Sequence, residues 1–305
     1  MQVLPTGTGG DGSTAHAAWL GASVREDIEA CLPLLHDWSP DWLLVDHYAL
    51  DASWEAAIRS YCRRLMVIDD LADRDHMADL LLDQNLGRHG EDYAGRLPAH
   101  CRLLVGCEFA LLRPEFERWR VVSLERARTL PVAHLLINLG GVDKDNLTQR
   151  VLRLLPAAPL AGDCRITVVM GRTAPWVEPV RSQAAELPWP CEVLVNVRDM
   201  ARLLASADLI IGAAGSSSWE RCALGLPSLL LVAADNQRQA SQAMEQAGIA
   251  RVVWPSPSFE TDLLRHLDEL LSDARSRQAL SLKAAGLCDG LGAGRVIDAM
   301  HEVLP

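Results

Sequence analysis

Short, uninterrupted apolar runs that end in polar residues alternate with helical patterns along this chain, and that ordering limits its fold more than any other feature. Trp42-Leu43-Leu44-Val45 leads into Asp46, and Leu65-Met66-Val67-Ile68 leads into Asp69-Asp70. Leu80-Leu81-Leu82 then runs into Asp83-Gln84-Asn85, and Arg102-Leu103-Leu104-Val105 into Gly106. Runs of this length without polar alternation are strands buried on both faces, and the intervening helices supply the cover. Helices are expected from Ser23 to about His36, with Glu26 and Asp27 in the first turn, and over residues 52–63.

A second series starts at His134-Leu135-Leu136-Ile137-Asn138, followed by Gly140-Gly141 and a helix from Asn146 to about Leu155. Further strands are expected at residues 165–170, 191–195, 209–211, 228–232 and 251–254, with residues 258–304 mainly helical. Residues 115–128 are charged, carry few long apolar side chains, and read as a linker or exposed helix. The pattern predicts an α/β protein of two Rossmann-like domains facing a cleft, residues 1–130 and 131–305. A chain of 305 residues is long enough for two cores.

Charge and cysteine usage remove several functional classes. With 29 Lys+Arg against 40 Asp+Glu the net charge is −11, which offers nothing to a nucleic-acid backbone or an anionic membrane. Residues 1–130 carry −8 and residues 131–305 carry −3, so the second half is the better place for an anionic ligand. The eight cysteines include no C-x-x-C pair, so zinc and redox spacing are both missing and reduced thiols are expected. The first residues lack the charged and apolar regions of a signal peptide, and no apolar run reaches the roughly 20 residues that cross a bilayer. A cytoplasmic monomer without nucleic-acid or membrane partners is expected.

Ligands of open parallel sheets bind beyond the carboxyl ends of the strands, and three strand ends here carry suitable chemistry. Leu209-Ile210-Ile211 runs into Gly212-Ala213-Ala214-Gly215-Ser216-Ser217-Ser218-Trp219-Glu220. Glycine lets a ligand approach the backbone, and Gly215, Ser216 and Ser217 precede helical N–H groups that favour an anion. Glu220 would accept hydrogen bonds from a ribose diol; the plain alternative is an N-capped helix with a favourably placed glutamate. Gly140 and Gly141 again stand between a strand and a helix, which suits a diphosphate or its sugar, or is simply a turn. Val45-Asp46-His47-Tyr48 offers acid, imidazole and phenol for proton transfer or sugar recognition, or serves structure alone.

The order Gly215, Glu220, Gly225-Leu226-Pro227 and Asp235-Asn236-Gln237 resembles the nucleotide-sugar half of GT-B proteins similar to the lipid II-forming N-acetylglucosaminyltransferase. By that resemblance the turn and glutamate hold the nucleoside, and Asn236 and Gln237 lie toward the donor sugar. Leu44-Val45-Asp46-His47-Tyr48, Ile68-Asp69-Asp70, Leu81-Leu82-Asp83-Gln84-Asn85, residues 106–116 and Asn138-Leu139-Gly140-Gly141-Val142-Asp143 together look like one family. It is the UDP-2,4-diacetamido-2,4,6-trideoxy-β-L-altropyranose hydrolase family of pseudaminic acid biosynthesis. The resemblance implies a GT-B-like fold and metal-free release of UDP by water, with no cofactor. It further implies that Asn146 and Glu220 bind the UDP-sugar and that Tyr48, beside His47, lines the active site.

The family opens with a strand, a Gly-x-Gly-His loop and a helix, and that histidine is its proposed base. His16 stands without those glycines or a preceding strand, so the N-terminal domain reads as incomplete by about fifty residues. A chain of this kind is expected to bind UDP and to hydrolyse the UDP-sugar slowly or not at all, with His47 and His16 as the next candidates for the base. Two rivals stay open: a glycosyltransferase with a UDP-sugar donor, and a UDP-sugar-binding remnant.

Overall fold

The computed structural model describes residues 16–126, 131–234 and 237–303, and it divides into two compact units. The first takes the described residues up to Phe109 and those from Gly294 onward; the second takes Ala110–Ala293. In the first unit, α1 (Val24–Trp38) precedes β1 (Trp42–Val45), α2 (Ala52–Ile58), β2 (Arg64–Ile68), β3 (Leu80–Asp83) and β4 (Arg102–Val105). Ser23 and Glu26 form a reciprocal capping box at the start of α1, satisfying two backbone donors that the helix leaves open. Asp51 caps α2 by accepting from the Ser53 amide at 2.9 Å.

The four strands are parallel and lie in the order β1-β2-β3-β4. Leu65, Val67 and Leu81 point to a face packed by Leu35, Trp54, Ile58 and Tyr93. Met66, Leu80, Leu82 and Leu104 fill the opposite face. Both faces are therefore covered, which is why the runs show no polar alternation. Among the described residues β1 is a sheet edge, and Leu44 on it is 51% exposed.

The second unit opens with α3 (Pro114–Arg126) and continues through β5 (His134–Asn138), α4 (Leu147–Leu154), β6 (Arg165–Met170), α5 (Val177–Ala185) and β7 (Cys191–Val195). It then runs through α6 (Met200–Ala205), β8 (Leu209–Ala213), α7 (Ser217–Ala223), β9 (Ser228–Leu231), α8 (Arg238–Gln246) and β10 (Arg251–Val253). The helices α9 (Phe259–Ser272) and α10 (Ala274–Leu287) follow, and α11 (Gly292–Val303) is the last element. The six strands are all parallel in the order β10-β9-β8-β5-β6-β7. The chain starts in the middle at β5, moves outward to β7, and returns to lay β8 against the other side of β5. Strand order reverses between β5 and β8, which is where doubly wound sheets open a crevice for ligands.

Two stretches depart from the domain limits expected at residue 130. The charged segment after Pro114 is a helix of the second unit: Phe116 is 0% exposed, Ser123 is buried, and Arg120 donates to the Ala285 carbonyl at 2.6 Å and the Cys288 carbonyl at 3.0 Å. The last helix belongs with the first unit, since Val296 and Ala299 pack on Met66, Leu80 and Leu82, and Arg64 Nε donates to the Val303 carbonyl at 3.1 Å. No helix among the described residues is long and apolar enough to cross a membrane.

If α3 is a packed element of the second unit, removing the Phe116 ring leaves a cavity in a fully buried place. Phe116→Ala should destabilise the protein by about 3–5 kcal/mol. Hydrogen exchange should show the lost protection in α6 and α7 while β1, β2 and β3 stay protected. A loss below about 1 kcal/mol, the size of a surface substitution, would return this segment to the role of a linker.

Candidate functional site

Two loops flank the strand reversal of the second unit, those after β5 and β8. The loop after β5 holds Gly140 at φ 94° and Asp143 at φ 46°. It lies tightly on the end of β6: a Cβ on Gly171 would fall 2.0 Å from the Gly141 carbonyl oxygen, so only glycine fits there. Asp143 accepts from the Leu147 and Thr148 amides at 2.9 Å each, and Asn146 Oδ1 accepts from the Gln149 amide at 3.4 Å. Asn146 also donates from Nδ2 to Gln149 Oε1 at 2.7 Å. The first amides of α4 are thus already satisfied by side chains of the chain itself, and Asn146 works as the helix cap.

The turn after β8 is left open by comparison. Gly215 has φ 152°, and Ser216, at the N-cap position, makes no side-chain cap. The amides of Gly215, Ser216 and Ser217 donate to no other described residue. The plain alternative of a serine-capped helix is therefore not what forms here. The Glu220 carboxylate, half-buried in α7, has no hydrogen bond or ion pair within 4 Å among the described residues. Burial raises its pKa, and the charges of Arg113 and Arg221 pull the other way. A half-buried carboxylate without a donor is an open acceptor site for hydroxyl groups.

After β9, Asn236 lies outside the described residues. Gln237 accepts from the Ala233 amide at 2.9 Å through Oε1, while its amide donates to Ala234 and its carbonyl accepts from Ser241 Oγ at 2.7 Å. It closes the turn into α8. A cavity of about 330 Å³ lined by His134, Arg165, Glu192 and Arg202 lies at the opposite, starting ends of β5, β6 and β7. That is the wrong end of a parallel sheet for the expected ligand.

The first unit carries its polar groups at the carboxyl ends of β1, β2 and β3. Tyr48 Oη donates to Asp70 Oδ2 at 2.9 Å, and its ring lies against His16 and Trp19 with centroids 5.4 and 5.6 Å away. Burial, with the Asp70 hydrogen bond next, pushes the Tyr48 phenol well up. His47 Nδ1 accepts from the Ala49 amide at 3.1 Å, so a neutral ring carries its proton on Nε2. Tyr93 Oη stands 2.9 Å from both Asp69 Oδ2 and Asp83 Oδ2, with Arg74 2.8 Å from Asp69 and Arg88 3.1 Å from Asp83.

Asp70 is different. It has no ion-pair partner within 4 Å among the described residues, and its Oδ1 is buried without a hydrogen bond. Burial raises its pKa; the Tyr48 hydrogen bond lowers it, Asp69 and Asp46 raise it, and Arg74 lowers it. The sequence placed Asp70 in a strand-end motif, but only the structure attaches it to Tyr48. Among the described residues no group of three or more His, Cys, Asp or Glu side chains forms a metal-binding cluster.

The family model described as Glycosyltransferase family 28 C-terminal domain matches residues 134–290. The spore coat polysaccharide biosynthesis protein SpsG of Bacillus subtilis is 26% identical over 204 residues, covering 66% of this chain and 59% of that protein. The UDP-2,4-diacetamido-2,4,6-trideoxy-beta-L-altropyranose hydrolase of Campylobacter jejuni is 23% identical over 191 residues, 63% of this chain and 66% of that enzyme. The chain thus spans less than two thirds of these relatives' lengths. The crystal structure of Acinetobacter baumannii MurG matches with a TM-score of 0.66 at 16% identity, covering 94% of this chain and 80% of that one. The fold is the two-sheet, parallel Rossmann-like one of GT-B glycosyltransferases.

The Asp70 carboxyl also makes stability depend on pH. A carboxyl with a raised pKa favours the folded state at low pH, and that contribution is lost as pH rises through the raised value. Asparagine keeps an acceptor for Tyr48 and removes the charge. Asp70→Asn should therefore raise the unfolding free energy at pH 7, and the gain should vanish below about pH 4, the ordinary aspartate range. Denaturant titrations at the two pH values check this; a variant less stable at pH 7 would show Asp70 to be a stabilising charge.

Proposed function

Because the chain belongs to the glycosyltransferase family 28 C-terminal domain family, we propose that its second unit holds a UDP-sugar at the β5–β8 reversal. The reaction is metal-independent hydrolysis of the anomeric C–O bond. It releases UDP and a 2,4-diacetamido-2,4,6-trideoxyhexose for pseudaminic acid biosynthesis. The observation that carries the nucleotide assignment is Glu220, a half-buried carboxylate without a donor beside the open turn of Gly215, Ser216 and Ser217. Its natural partners are the two neutral hydroxyls of a ribose, while the open amides suit phosphate oxygens. Gly140 and Gly141 form the other wall, where the backbone itself is the surface. The sugar and the choice of water as nucleophile rest on the Campylobacter jejuni relative.

In this scheme water adds to the anomeric carbon as the bond to the diphosphate oxygen breaks, and the electron pair leaves with UDP. The water proton must go to a base. The Tyr48 hydroxyl proton is committed to Asp70, so the phenol oxygen faces a donor as an acceptor. It takes the water proton as its own passes to Asp70 Oδ2. His47 is less suited, since its Nδ1 lone pair already accepts the Ala49 amide. A positioned base of this kind contributes about 10²–10⁴-fold.

Glu220→Ala should weaken UDP binding by about 1–3 kcal/mol, the value of hydrogen bonds to a charged group. Unchanged affinity by calorimetry would take Glu220 out of the site.

Incubation with a UDP-sugar in water alone should release UDP slowly, since the family's Gly-x-Gly-His base has no counterpart in this sequence, and at a rate unaffected by EDTA. Release only when an acceptor sugar is added would favour the transferase that the family description names, and binding without release would favour a UDP-sugar-binding protein. Activity lost to EDTA and restored by magnesium would contradict the metal-free scheme.

A further inference from the structure

Arg221 is a cation in a place where the fold alone has little use for one. It is 3% exposed, and its side chain runs back along α7 to the end of β8. Nη2 donates to the Ala213 carbonyl and to Ser218 Oγ at 2.8 Å each, and Nη1 donates to Ser217 Oγ at 3.3 Å. All three acceptors are neutral, and no carboxylate lies within ion-pair distance among the described residues. Burying a charge without a counter-charge is costly, and hydrogen bonds to neutral groups offset only part of that. Burial lowers its pKa to about 10, which leaves the guanidinium charged at neutral pH.

Two other buried arginines show what ordinary compensation looks like here. Arg74 pairs with Asp69 at 2.8 Å. Arg277 donates to the Leu270 and Leu271 carbonyls near the end of α9, where the helix dipole favours a cation. Arg221 instead brings its charge to the first residues of α7, where the dipole disfavours one. The backbone also makes room for it. A Cβ on Gly212 would lie 2.8 Å from Arg221 Nη1, so the glycine at the end of β8 clears space for the guanidinium.

We infer that Arg221 is a positioning residue that favours a nucleoside diphosphate from beneath the turn of Gly215, Ser216 and Ser217 without touching it. This rests on the proposal that the turn receives UDP. The guanidinium holds the turn through the Ala213 carbonyl and the two serine hydroxyls. Its charge, opposed among the described carboxylates only by Glu220 beyond ion-pair distance, then acts across the turn from a buried position where screening is weak. Placing the cation below the turn leaves the turn amides free for the phosphate oxygens, with no arginine side chain to order on binding.

Calorimetry with UDP and with uridine, on the full chain and its Arg221 variants, separates this from simple bracing of the turn. Arg221→Gln and Arg221→Met should lower UDP affinity by about tenfold or more while uridine affinity stays within about twofold, because only UDP carries the charge. Arg221→Lys keeps the charge and loses the fork, and it should keep most of the UDP affinity. Should the neutral variants fail to fold, the lysine variant decides. Equal losses for UDP and uridine in that variant mean that Arg221 only braces the turn. UDP affinity unchanged in the neutral variants would overturn the inference and leave the UDP site standing. No UDP binding by the unmodified protein would remove the UDP site and the inference with it.

Discussion

Everything in the second unit depends on where β5 sits. It is the first strand of its sheet in the chain, yet it ends in the middle, hydrogen-bonded to β6 on one side and β8 on the other. The connections leaving β5 and β8 must turn to opposite faces, and they part at their carboxyl ends. That parting creates the crevice, and the close contact of Gly171 with the Gly141 carbonyl fixes one of its walls. Polar chemistry collects there because the strands are buried on both faces, so a charged side chain fits only at a strand end.

The two loops of the crevice have divided their tasks. Asp143 and Asn146 consume the first amides of α4, so the loop after β5 is a finished structure that presents glycine backbone. The loop after β8 keeps its amides free, keeps Glu220 without a donor, and is braced from below by Arg221. The first unit repeats the contrast. Asp69 and Asp83 share the Tyr93 hydroxyl and each has an arginine, whereas Asp70 has only Tyr48. In both units a carboxylate near the strand ends is left incompletely satisfied by the fold, at a cost to stability.

The ten strands of the described residues were legible in the sequence, most of them as unbroken apolar runs buried on both faces, although the edge strand β7 carries the exposed Glu192. The domain limits were not. The helix α3 buries little besides Phe116 and Ser123 and is held partly by Arg120, so its composition resembles a linker. The return of α11 to the first unit is a long-range pairing without a local signal. Residue types and order made Glu220 and Tyr48 candidates, but could not show which partners surround them. Whether Asn146 is an occupied cap, whether His47 has a free lone pair, and whether Arg221 has a counter-charge all depend on three-dimensional partners.

UDP binding at the strand reversal of the second unit is the proposal on which the rest of the functional reading stands. Titrating the nitrogen-15-labelled protein with UDP and following its backbone amides tests this directly. Saturable shifts should be largest at Gly140, Gly141, Gly215, Ser216 and Ser217, with the starting ends of β5, β6 and β7 undisturbed. Shifts centred instead on the cavity of His134, Arg165 and Arg202, or the same shifts produced by inorganic phosphate alone, would contradict it.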